Sequence, residues 1–151
     1  MGTALLVVAA VVVTVVMLWA YFTAQRVNTL HIRTDSALAQ LQAALDRRAA
    51  VAAALEPRLA EASAQAEATA LVPGQFTQRS DLEHRLGEEI RRLCDPVPAQ
   101  LVDAEVRVQL AHRFYNEAVA DTRALRLRPL VRTFRLGGTA RLPEFFDLTA
   151  F

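Results

Sequence analysis

The sequence predicts an all-α chain, with one N-terminal transmembrane helix followed by an antiparallel up-and-down bundle of three to four helical segments. Three observations predict it. Nineteen consecutive residues, Ala4 to Phe22, carry no charge and a single polar side chain, Thr14. Two later stretches alternate apolar residues at spacings of three and four, the seam of a packed helix. Nowhere is there a convincing period of two, the mark of a half-buried strand.

The apolar run comes first. At ~1.5 Å of rise per residue it spans roughly 28 Å, about the hydrocarbon thickness of a bilayer. Trp19, Tyr21 and Phe22 stand at its C-terminal end, where aromatic rings favour the headgroup level. Arg26 follows and can snorkel to the same interface. A cleaved signal peptide would show a basic n-region, a shorter apolar stretch and a small-x-small site. No Lys or Arg precedes Gln25, and no clear Ala-x-Ala follows the run. The run therefore reads as an uncleaved anchor. Arg26 and Arg33 lie on its C-terminal side, so the positive-inside bias puts the N-terminus outside and residues 23–151 in the cytoplasm. The expected layout is a short extracytoplasmic N-terminus at 1–3, a transmembrane helix at 4–22, a cytoplasmic bundle at 23–128 and an aromatic, basic tail at 129–151.

Residues 24–71 read as helix, with a seam of Leu38, Leu41, Leu45, Arg48, Ala52, Leu55, Leu59 and Ala62. Pro57 lacks an N–H and predicts a kink or break near Glu56. Val72-Pro73-Gly74 marks a turn. Ser80-Asp81-Leu82-Glu83 has the form of a capping box, which predicts a helix start near Asp81, with Leu82, Leu86, Ile90 and Leu93 as its stripe. Asp95-Pro96-Val97-Pro98 interrupts it. From Ala99 to Leu127 a second seam runs through Leu101, Ala104, Val108, Ala111, Tyr115, Ala118, Thr122 and Leu125, and Pro129 closes it. Gly137-Gly138 and Pro143 mark the remainder as irregular. Residues 23–71 and 80–128 are equal in length, which predicts two arms folded at Pro73-Gly74, each bent at a proline. If Pro96-Val97-Pro98 reverses the chain instead, the bundle is shorter and thicker. The pattern leaves both open.

Composition narrows the function classes. A net charge of +1 speaks against a nucleic-acid binder, and the lone Cys94 excludes an internal disulfide framework. No hydrolase elbow, phosphate loop or zinc spacing occurs. Asp81, His84 and Glu88 share a helix face, half a metal site at most. A solvated helix start explains them as well, with Arg85 and Arg92 as i,i+4 partners. No cofactor, metal or catalytic role is assigned to any residue.

Two features ask for explanation. Arg48 occupies a seam position beside Arg47, and a buried guanidinium needs partners. Tyr115, Asn116, Glu105 or Glu117 would serve, either as structural support or as the wall of a binding pocket. Near the C-terminus, Arg123, Arg126, Arg128, Arg132, Arg135 and Arg141 occur with no acid among them. In the two-arm arrangement they return to the bilayer and face anionic headgroups; as a solvated helix end they would complement the dipole. Phe134, Phe145, Phe146 and Phe151 crowd the last eighteen residues and must dock on the bundle, the membrane interface or a neighbour.

The stretch His112-Arg113-Phe114-Tyr115-Asn116-Glu117-Ala118-Val119 resembles the A-R-R-F-Y-N-x-A-V segment of the LemA family. Glu105, Arg107 and Val108 match the E-x-R-I pattern upstream. Phe134 and Leu142-Pro143-Glu144-Phe145-Phe146-Asp147 are similar to the family's closing F-G-F…E-F-F-E element. Ala39-Gln40-Leu41 with Leu45-Asp46-Arg47-Arg48-Ala49 is similar to its A-W-A-Q-I…L-K-R-R-A-D-L segment. The likeness covers about residues 26–62 and 99–147. Residues 63–98 match poorly, and Pro57 stands nine residues past Arg48 where the family's proline follows its R-R pair by about five. The resemblance implies a single-pass bacterial membrane protein with a cytoplasmic helical bundle and no established catalytic activity. The family-motif residues are Arg47, Arg48, Glu105, Arg107, Phe114, Tyr115 and Asn116. Candidates for lipid or partner contact are Arg126, Arg128, Arg132, Arg135, Phe145 and Phe146. The expected role is an interaction or scaffold protein whose partners are the bilayer and other membrane proteins. An accessory subunit of a larger membrane complex and a small-molecule or metal-binding module are the alternatives. Association of several copies stays open.

Overall fold

A computed structural model of the chain describes residues 2–129, 131 and 141–148. Arg132, Arg135, Phe134, Phe151 and the Gly137-Gly138 pair lie outside them. The described chain is all-helical, and no strand occurs among these residues.

The first helix, α1, runs unbroken from Gly2 to Leu55, as the lack of Gly and Pro between Thr3 and Glu56 allows. Among the described residues it alone is long and apolar enough to cross a membrane. Most of its apolar third is exposed: Leu5 is 73% exposed and Phe22 66%. From Thr34 onward the helix acquires a buried face, with Ala37, Leu41, Leu45, Arg48, Ala49 and Ala52. Of the expected seam, Leu41, Leu45, Arg48 and Ala52 are buried and Leu38 is half-buried, whereas Leu55 is exposed and Leu59 and Ala62 lie beyond the end of α1.

Pro57 ends α1. Glu56 takes an extended conformation, and its carboxylate caps the 3-10 turn Pro57–Leu59, accepting from the Arg58 N–H at 3.2 Å and Nε at 2.8 Å. Those hydrogen bonds hold the Glu56 carboxyl down at about 2. The chain then reverses: α2, Ala60–Glu67, returns along α1, and the Leu71 N–H reaches the Gln42 side chain at 3.3 Å. The interruption expected near Glu56 within 24–71 therefore occurs, and it reverses the chain rather than merely kinking the helix. The missing N–H, the restricted residue before proline and the Glu56 cap act together to stop the helix.

At the second turn Pro73 leads into Gly74 with φ +86°, and the Gln75 N–H bonds the Val72 carbonyl at 2.9 Å, the arrangement of a type II turn. The third helix, α3, spans Phe76–Leu93. It starts five residues before the expected Asp81, so no capping box forms at Ser80 and Glu83. Both lie inside the helix; Ser80 Oγ donates to the Asp147 carbonyl at 2.7 Å, and Glu83 is drawn into a buried ion pair stronger than a cap. The Asp95-Pro96 bond is cis, and α4 follows over Ala99–Arg126.

Among the described residues α4 lies antiparallel along α1 and makes the most extensive helix–helix interface. Thr34 meets Thr122 at 3.0 Å near one end, and Arg48 meets Glu105 at 2.6 Å near the other. Because Arg48 touches both Glu83 on α3 and Glu105 on α4, the segment 94–98 reverses the chain rather than bending it. Two arms folded only at Pro73-Gly74 are thus not what forms; Pro57 and Pro96-Val97-Pro98 also reverse direction. All eight residues of the second seam pack inward, seven of them fully buried and Ala111 partly.

Candidate functional site

Three features stand out in the helical assembly: a buried charge cluster, an apolar cavity beside it, and, farther along α4, a clamp on the C-terminal segment.

The cluster grows from Arg48, 1% exposed in the α1 seam. Its Nη2 donates to Glu83 Oε2 at 2.5 Å and its Nη1 to Glu105 Oε2 at 2.6 Å. Glu83 is fully buried and shares itself: its Oε1 accepts from Arg79 Nε at 2.7 Å. Arg79, also fully buried, donates to Asp46 Oδ1 at 2.7 Å and to the Thr69 carbonyl. Gln109 Nε2 adds a bond to Glu105 Oε1 at 2.7 Å. Two guanidinium groups and three carboxylates thus tie α1, the end of α2, α3 and α4 at one level. Desolvating such charges is tolerable only because nearly every donor finds an acceptor. Geometry of this kind fixes register and rigidity. Both cations are committed to carboxylates inside the protein.

Sequence reasoning placed Arg48 correctly in the core and named Glu105 among its partners. It missed Arg79 and Glu83. A signal existed: Phe76, Arg79, Glu83, Leu86 and Ile90 step by three and four, so the α3 seam extends through two charged residues. The other partners suggested for Arg48 serve elsewhere. Tyr115 and Asn116 lie about three turns along α4 from Glu105, and Glu117 is exposed, paired with Arg113 at 2.9 Å.

Tyr115 and Asn116 instead hold the C-terminal segment 141–148. Tyr115 Oη donates to the Glu144 carbonyl at 2.7 Å. The Asn116 amide brackets Phe146, accepting its N–H at 3.1 Å and donating to its carbonyl at 3.2 Å. His112 Nε2 lies 2.8 Å from that same carbonyl, which requires the proton on Nε2. The Phe146 ring is 1% exposed and meets Phe76 edge-on at 5.5 Å, while Phe76 meets Tyr115 at 6.1 Å. Of the expected tail destinations, docking on the helices is the one seen for Phe146. Phe145 points outward, half exposed, with the Arg123 guanidinium 5.4 Å from its ring centroid. Burial pushes the Tyr115 phenol up to about 12, with the Glu144 and Asp35 charges adding to it.

An apolar cavity of about 220 Å³ opens beside the cluster between α3 and α4, walled by Gly87, Ile90, Val97, Leu101 and Val106, with Arg48 at its floor. The neighbouring outer face of α4 carries Val102, Val106, Leu110 and Phe114, each about half exposed or more. Their i,i+4 spacing makes one continuous ridge.

The remaining sequence candidates are peripheral. Arg47 is exposed, and Arg107 pairs with Asp103 on its own helix at 2.9 Å. Arg126 Nη1 donates to the Arg141 carbonyl at 2.9 Å, and Arg128 is exposed just past the helix end. His84 and Glu88 face each other at 3.4 Å on the surface of α3. Compared with known proteins, the chain matches no family model, no curated protein and no solved structure.

Proposed function

We propose that this chain is a membrane-anchored, LemA-like helical interaction or scaffold protein without catalytic activity. Its helices would form an antiparallel up-and-down bundle of four segments, held to a bacterial cytoplasmic membrane by residues 4–22 of α1. The observation that carries the reading is the α4 ridge. Val102, Val106, Leu110 and Phe114 leave a contiguous apolar strip in water, on a helix whose opposite face is already fully packed. Such strips are kept off a soluble surface unless something covers them. Each of these side chains stays about half exposed or more, so another protein is the economical reason for the strip. The charge cluster supports the same view, because a rigid helix presents a fixed surface at little entropic cost.

The anchor rests on the length of the apolar run and its lack of burial. Protease protection tests the orientation: digestion of residues 23–151 from outside the cell overturns the cytoplasmic placement. For the partner, a photo-crosslinking side chain at Leu110 in intact membranes should capture a reproducible neighbour, and the same group at Arg85 should not. No reproducible product from Leu110 overturns the interaction role. The apolar cavity favours one second reading, a module for a small apolar ligand. In that case a bulky Gly87→Leu substitution would abolish ligand binding and leave the Leu110 crosslinks in place.

A further inference from the structure

Near the end of the apolar run, α1 and the chain leaving α4 border a second, half-open cavity of about 490 Å³. Trp19, Thr23 and Arg26 line it from α1; Leu125, Arg128 and Val131 line it from the other side. That volume lies within the range of ordinary ligand pockets. We propose that this cavity binds the phosphate of an anionic glycerophospholipid between Arg26 and Arg128, an inference that rests on the membrane-anchor reading above.

Register supplies the first argument. On the same antiparallel interface, Arg33 pairs with Asp121 at 3.2 Å. Arg26 lies seven residues back along α1 from Arg33, Arg128 lies two residues past the end of α4, and both line this one cavity. There the pair is cation against cation. Neither arginine has an ion pair among the described residues. No acid is within reach in sequence either: none precedes Asp35, and none lies between Asp121 and Glu144. Two like charges brought together by packing repel, and no described acid pairs with either of them. An anion from outside would.

The walls decide which anion. The Thr23 hydroxyl is turned back on its own helix, donating to the Trp19 carbonyl at 2.8 Å. The guanidinium groups therefore remain as the charged donors, and their planar forks suit phosphate oxygens. Leu125 and Val131 are apolar and buried, and Trp19 stands at the polar end of the apolar run, at headgroup depth. Free phosphate would gain nothing from such walls. A lipid places its phosphodiester at the arginines and its glycerol and upper acyl chains along the indole and aliphatic surface. Basic pockets beside membrane-spanning helices bind anionic headgroups in this way.

Trp19 is the chain's single tryptophan, so its emission reports on this cavity alone. The test titrates full-length protein in neutral detergent with short-chain phosphatidylglycerol, phosphatidylcholine or soluble glycerol 3-phosphate. Phosphatidylglycerol should give a saturable change in Trp19 emission that weakens as salt rises, and phosphatidylcholine should not. Loss of about fivefold in affinity is expected for Arg26→Gln or Arg128→Gln alone, and about thirtyfold for both. Arg85→Gln with Arg92→Gln, remote on α3, should change nothing. Equal response to the two lipids, or a double variant that binds like the parent, overturns the site. Tight binding of glycerol 3-phosphate overturns the lipid assignment. Carbonate washing of membranes separates the two readings: protein released by the wash means the anchor fails, whereas retained protein without lipid preference means only this site fails.

Discussion

Glu83→Gln is the sharpest probe of what holds the helices in register. The substitution keeps the volume and removes one charge. In the parent, both carboxylate oxygens are used, at 2.5 Å to Arg48 and 2.7 Å to Arg79, and none of the three side chains is more than 1% exposed. A glutamine offers one acceptor oxygen; its amide nitrogen must face the other guanidinium, donor against donor. Breaking a buried pair of this kind costs about 3–5 kcal/mol. Arg48 keeps Glu105 and Arg79 keeps Asp46, both at the partly exposed edge of the cluster, so the low end, about 3 kcal/mol, is expected. With a urea slope of about 2 kcal/mol per molar, the midpoint should fall by roughly 1.5 M. The assay is urea unfolding of full-length protein in neutral detergent, followed by helical circular dichroism. Glu67→Gln, on an exposed face of α2, is the control and should stay within about 0.5 kcal/mol. A loss below about 1 kcal/mol for Glu83→Gln would mean that the cluster does not brace the fold.

Three further outcomes follow from the same geometry. Phe146→Ala should cost about 3–5 kcal/mol and free the C-terminal segment, seen as faster tryptic cleavage after the exposed Arg141. The Tyr115 phenol titrates higher folded, at about 12, than its ordinary value near 10. The stability it contributes is therefore complete below about pH 10 and lost as pH rises toward about 12; Tyr115→Phe should remove that alkaline phase from a stability–pH series. Thr34→Val should cost about 1 kcal/mol, because Thr122 keeps its bond to the Ala118 carbonyl at 2.8 Å; the Thr34→Val, Thr122→Val double variant should be close to neutral when both unfold in urea.

How much of this was legible beforehand depends on the range of the interaction. The apolar run, the break at Pro57, the Pro73-Gly74 turn and the α4 seam all declare themselves within a few residues, through hydropathy, a missing N–H or a spacing of three and four. So did the buried setting of Arg48, which interrupts an otherwise apolar series. The start of α3 went the other way. Ser80 and Glu83 have a capping pattern locally, and only the arrival of Arg48 from α1, thirty-five residues earlier, makes Glu83 a core residue. Likewise, Tyr115 and Asn116 advertise hydrogen-bonding capacity, yet nothing near them in sequence says that Phe146 will take it up.

By itself, the sequence determined that the chain is helical, that one helix begins with an apolar length fit for a bilayer, and where prolines stop the rest. Those are consequences of backbone sterics and of transfer energies that each residue carries alone. Only the tertiary structure decided that the breaks at Pro57 and Pro96-Val97-Pro98 also become reversals, which cation meets which carboxylate, and that Arg26 and Arg128 line one cavity. Those depend on distances between segments far apart in the chain, which no local pattern encodes.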